Sequence, residues 1–186
     1  MSSEVDICNI ALAKLGVDTI TSFGDKDDKG SIICNAVYPT LVQELLRLYP
    51  WNFALEKAML ALRSSAPLFG YAYSYALPGD SMKVISLEEE TDQFKKVGNT
   101  LETDTENAKI TYVKDITDPV LFDSTFVMLL AARITSVIGF AMTGKEELIP
   151  VFERQYALSL KSVIDVDASE GKEDPNEDNT IADSRL

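Results

Sequence analysis

Residues 71–76 read Tyr71-Ala72-Tyr73-Ser74-Tyr75-Ala76, large and small side chains in strict alternation. A period of two places one set of side chains on each face of an extended chain, so this stretch predicts a β-strand. Its surroundings decide the fold, because the periodicity changes on both sides of it. Upstream, Val5, Cys8, Leu12 and Leu15 recur at spacings of three and four, and so do Ile33, Val37, Leu41, Leu45 and Leu48. That is the stripe of a helix buried along one face.

Ser3 is placed to cap the first helix and Gly16 to stop it. The second is expected to start near Ser31, to tolerate Pro39 at the cost of one hydrogen bond and a kink, and to end at Pro50. Downstream of the tyrosines, Met82–Leu87 is a second strand candidate. Gln93–Val97 and Thr100–Asp104 flank Gly98-Asn99, a two-residue turn suited to positive φ, and predict a hairpin. Lys109–Lys114, with Ile110 and Tyr112 on one face, completes a small antiparallel sheet.

Helix returns after Asp118-Pro119. Ser124–Met142 is apolar nearly all round, as in a helix buried on most sides. Arg133 interrupts it, and the unbroken run Phe126–Ala132 falls far short of the ~20 residues of a membrane span. Thr143-Gly144 forms a turn, and Ile149, Phe152, Tyr156, Leu160 and Val163 form the stripe of a last helix. The expected fold is therefore α+β and mainly α. Residues 1–63 and 118–164 supply a helical bundle core, residues 68–115 form a β excursion, and residues 165–186 form an acidic tail, disordered from Asp167 onward.

Composition narrows the chemistry. The 186 residues include no histidine, so no Ser-His-Asp or Cys-His nucleophile can be assembled within one chain, nor an ordinary histidine-bearing zinc site. Two cysteines, Cys8 and Cys34, are too few for a disulfide framework or a four-thiolate zinc site, and read as buried packing residues of a reducing compartment. No basic stretch followed by an apolar one opens the sequence, so no secretory signal is expected. The cluster Asp25, Asp27 and Asp28 lacks the glutamate that a calcium loop places at its twelfth position, where Ala36 stands.

Thirty acidic residues against 17 basic ones give a net charge of −13, and eight of the acidic residues fall within 165–186. Such a chain offers little counterion-releasing contact to a phosphate backbone, so no sequence-specific nucleic-acid binding is expected. The tyrosines could in principle stack bases, but Asp80 and Glu88–Glu90 follow them and would repel phosphates. A carboxylate pair for polysaccharide hydrolysis needs no histidine, and it is the rival reading. With 30 acidic residues some pair lies at a suitable separation by chance, so composition singles out none.

Three stretches, in this order, resemble the tail tubular protein A family, the head-to-tail adaptors of short-tailed bacteriophages. Residues 48–54, LYPWNFA, are similar to the family's Pro-Trp-Asn-Phe-Ala signature after the second helix. Residues 71–84, YAYSYALPGDSMKV, are similar to its aromatic strand followed by Leu-Pro-x-Asp, with Gly79 and Met82 departing from the pattern. Residues 110–122 resemble its strand ending in Tyr-Val before Asp-Pro and a long apolar helix.

The resemblance implies a non-enzymatic structural protein of the virion tail, made in the host bacterial cytoplasm and using no cofactor. It implies a ring, dodecameric in the family, between the portal protein and the tail nozzle protein (tail tubular protein B). On that reading Trp51, Phe53, Tyr71, Tyr73, Tyr75, Pro78 and Asp80 are anchor or interface residues. The portal-docking tail comprises Asp165, Asp167, Glu170, Glu173, Asp174, Glu177, Asp178 and Asp183.

Overall fold

The computed structural model describes residues 3–88 and 92–170. Helix α1 spans Glu4–Leu15 and starts as its sequence dictates. The Ser3 hydroxyl accepts the Asp6 N–H while the Asp6 carboxylate accepts the Ser3 N–H, a reciprocal cap. Gly16, at φ +70°, closes the helix in the left-handed conformation. Helix α2, Lys29–Leu48, starts two residues before Ser31 because the Asp28 carboxylate accepts the Gly30 N–H. The helix assignment is continuous through Pro39.

After Trp51 comes a single 3₁₀ turn, Asn52–Ala54, and then strands rather than helix: β1 (Leu55–Met59) and β2 (Ala61–Leu62). The helical expectation for residues up to 63 is thus corrected. Leu, Glu, Lys, Ala and Met at 55–62 are good helix formers, but pairing of 55–59 with β7 and of 61–62 with β3 outweighs that local preference. Strands β3 (Tyr73–Ala76), β4 (Ser81–Leu87), β5 (Phe94–Val97), β6 (Thr100–Thr103) and β7 (Lys109–Lys114) follow. They form two antiparallel sheets instead of the expected one: β1-β7-β4 and β2-β3-β6-β5. The hairpin β5–β6 turns at Gly98-Asn99, where Gly98 takes φ +59°.

A 3₁₀ turn at Pro119–Leu121 leads to α3, Ser124–Thr143, whose first turn is capped by Asp123. Helix α4 spans Ile149–Glu170. It runs six residues past Ile164, so Asp165, Asp167 and Glu170 belong to a helix and not to a tail. Glu173, Asp174, Glu177, Asp178 and Asp183 lie outside the described residues.

Helix α3 packs against α1, α2 and α4. It is long and apolar enough to cross a membrane, but 61% of that stretch is buried within the molecule. Gly139 allows the close approach to α4, since a Cβ there would stand 2.7 Å from the Phe152 ring. Arg133, the charge that breaks the apolar run, ties three helices together. Its guanidinium meets Glu44 of α2 at 2.9 Å and Glu153 of α4 at 3.9 Å, and lies over the Tyr156 ring at 4.9 Å.

Two hydrophobic clusters result, and strands β4 and β7 belong to both. Val113 sits in the helical cluster, whereas its neighbours Ile110 and Tyr112 sit in the sheet cluster with Tyr75, Leu101 and Leu87. The register of β4 against β7 shifts between Ser81 and Lys83 and again between Val84 and Ser86. Each shift leaves one extra residue, Met82 and Ile85, and both pack on the helical cluster. Val84 and Leu87 face the other one. The two bulges thus let one strand serve two cores.

Candidate interaction surface

The Trp51–Ala54 turn is an internal joint. Trp51 is 1% exposed, its indole N–H donates to Leu45 O at 2.8 Å, and its ring stands edge-on to Tyr49 and Phe126. Phe53 is half-buried against Phe122 and Phe126. Asn52 has a partner far along the chain. Its backbone N–H donates to the Asp167 carboxylate at 3.2 Å, and its Nδ2 donates to Asp167 O at 2.7 Å.

Asp167 is buried, and desolvation raises its carboxyl above the ordinary range, against the lowering effect of the Asn52 N–H. This residue holds α4 to the turn and is not available to dock on a separate protein. Asp165 and Glu170 are exposed on the same helix.

The tyrosines do not form one exposed ladder. Tyr71 lies before β3 and is half-buried. Tyr73 is half-buried on the strand, and Tyr75 is buried with its hydroxyl donating to Thr105 O at 3.0 Å. Bases have no continuous face to stack on there.

Pro78 opens the turn into β4, with Ser81 N–H donating to Pro78 O at 3.0 Å. Asp80 accepts from the Tyr112 hydroxyl at 3.3 Å and faces Lys114 at 3.7 Å, and Lys114 also pairs with Glu56 at 2.7 Å. Burial first, then the Asp80 and Glu56 charges, pushes the Tyr112 hydroxyl up. Asp80 therefore pins the β3–β4 turn to β7.

What stands outward is a segment that the periodicity did not single out. Between β2 and β3, residues 63–72 form a loop in which Leu68 is 98% exposed and Phe69 84% exposed. Leu62, at its base, is also exposed. Leu62, Leu68 and Phe69 thus place three large apolar side chains in solvent on and beside one loop. The signal available in the sequence is the apolar pair in SSAPLFG, set among turn-forming residues that would otherwise be polar.

Two buried polar features remain. Cys8 and Cys34 are free thiols, both buried, and the Cys8 thiol is pushed up by its hydrogen bond with Cys34 and by burial. Tyr38 is 3% exposed, and desolvation, then the Glu4 charge, pushes its hydroxyl up. Among the described residues no group of three or more Cys, Asp or Glu side chains is arranged to hold a metal ion. The acidic loop at 25–28 instead serves the backbone: Asp28 caps α2, and Asp25 accepts the Asp27 N–H at 3.0 Å. No protein-family model matches the chain, and no curated protein matches it.

Proposed function

We propose that the chain is a structural head-to-tail adaptor of a phage or prophage tail, acting by docking rather than by catalysis. In this reading the helices form a bundle that is the body of a subunit in a ring. The ring joins the portal protein to the tail nozzle protein and lets DNA pass. The observation that carries the reading is the exposed apolar loop between β2 and β3, with Leu68 and Phe69 almost fully in solvent. A ring of identical subunits requires two different complementary faces on each protomer, and a projecting apolar arm is suited to be one of them.

The order of elements supports the reading too: helices, a β excursion, then helices. Charge is consistent with a conduit, since an acidic lumen would let DNA slide without holding it. The portal-docking role falls to the exposed Asp165 and Glu170 and to residues 171–186, because Asp167 is engaged with Asn52. Templated assembly is the mechanism: the portal ring raises the local subunit concentration until lateral contacts close.

The test is a double variant, Leu68→Ser with Phe69→Ser. Both side chains are exposed, so the melting temperature is expected to hold while ring formation on portal is lost. Unchanged ring formation would refute the role of the arm.

A further inference from the structure

Strand β1 is a sheet edge open to solvent. Among the described residues it pairs with β7 alone, and four of its five residues are exposed, Met59 at 69%. The Leu60 N–H donates to Ala108 O at 2.9 Å, so the register of β1 on β7 puts Glu56 and Ala58 at the bonded positions. The N–H and C=O groups of Lys57 and Met59 therefore point away from β7, and no described residue bonds them. Further along, the same side of the chain is used. Ala61 stands opposite Ala76 of β3, and the Arg63 N–H donates to Ser74 O at 2.9 Å. That ladder stops at Ala61 and leaves the edge of Leu55–Met59 unfilled.

Open edges of this kind accept an added strand, and a charge placed on them restricts which strand is accepted. The charge here is Lys57, which forms no ion pair with any described residue. Lys57 and the apolar Met59 lie on one face of β1, beside a groove of about 320 Å³ that Ser86, Lys109 and Thr111 also line. The complementary strand carries an apolar residue and an acidic one two positions apart.

Residues 171–186 contain such a pair and leave the fold close to β1. Asp167, near the end of α4, bonds Asn52, which is three residues before Leu55. The sixteen residues carry five acidic side chains against two basic ones. Their β-branched residues are Thr180 and Ile181, in Asn179-Thr180-Ile181-Ala182-Asp183, clear of Pro175, which has no N–H to give to a ladder. Reach is sufficient. From Asn52 to Met59 a strand covers about 23 Å, whereas the ten residues 171–180 span up to about 33 Å.

We propose that residues 179–183 add to the open edge of β1 in the same chain as an antiparallel strand, Ile181 opposite Met59 and Asp183 opposite Lys57. Both pairs then fall at hydrogen-bonded positions, so the Lys57 and Met59 backbone groups exchange four bonds with Ile181 and Asp183. The opposite charges meet directly across the ladder. The inference does not rest on the adaptor reading. Under that reading, portal and β1 compete for the same residues.

The experiment is amide hydrogen exchange, followed by NMR, on the full chain, on a chain ending at Glu170 and on the full-length variant Ile181→Pro. Exchange at Lys57 and Met59 is expected to be at least tenfold slower in the full chain than in either variant. Ala58, whose N–H faces β7, should be equally protected in all three and reports that the sheet is intact. A latch of four bonds opens locally, below the global transition, so exchange and not the melting temperature is its readout.

Rapid exchange at Lys57 and Met59 in the full chain, or the same rates in all three proteins, would overturn the proposal. So would protection that falls on tenfold dilution of the full chain, which would assign the edge to a second copy. Protection independent of concentration and lost in both variants would uphold it, whether or not the chain assembles with portal.

Discussion

Asp167 shows how much one residue can alter the reading of a segment. Its carboxylate lies in an acidic stretch, yet it is buried and accepts the Asn52 N–H. For an acid whose folded pKa is raised, the folded state binds the proton more readily than the unfolded one. Its ionised form therefore costs stability at neutral pH. That cost disappears as the pH falls through the folded pKa toward the ordinary carboxylate value near ~3.9.

Asp167→Asn keeps an acceptor and discards the charge. The variant is expected to match or exceed the parent in melting temperature at pH 7 and to lose that advantage at pH 4. Asp167→Ala leaves the Asn52 N–H unpaired and should cost about 1–3 kcal/mol in chemical denaturation at pH 7. An Asn variant that melts well below the parent at pH 7 would show that the charge itself is needed. Trp51→Ala, which empties a site 1% exposed, should cost about 3–5 kcal/mol. Assembly lost without loss of stability would instead make Trp51 an interface residue.

At the scale of elements, α3 is the part on which the others are hung, and its contact with α4 depends on a missing side chain. Gly139→Ala would drive a methyl group into the Phe152 ring, which is itself 8% exposed and confined. Overpacking of this kind costs about 1–3 kcal/mol, offset by about 1 kcal/mol of helix propensity. A net fall in unfolding free energy is expected, and a stabilised variant would contradict the packing described.

Elements whose signals are local were legible in advance. Ser3 and Gly16 bracket α1, Gly98-Asn99 fixes the β5–β6 hairpin, and Gly144 ends α3. Elements set by distant partners were not. Residues 55–59 are drawn into β1 by β7, fifty or more positions along the chain. Residues 165–170 stay helical with help from the Asp167–Asn52 contact, which no sequence window contains. The same limit applies to the candidate surface. Trp51 and Phe53 stand out by type, whereas the exposure of Leu68 and Phe69 follows from the course of a loop between paired strands.

At the scale of the molecule, two clusters share strands β4 and β7, so the sheets are attached to the helices by side chains of the same strands. Residues 171–186 carry a separate expectation: their deletion should weaken portal binding and leave the melting temperature unchanged. Equal portal affinity would remove them from the mechanism.

Mutual docking around a portal is the proposed mode of action. Sedimentation velocity tests it most directly, on the pure protein alone and then mixed with the portal rings of the same genome. A largely monomeric chain near 20.5 kDa is expected when alone, and a portal-bound ring in the mixture. A chain that remains a monomer beside portal at every concentration would contradict it.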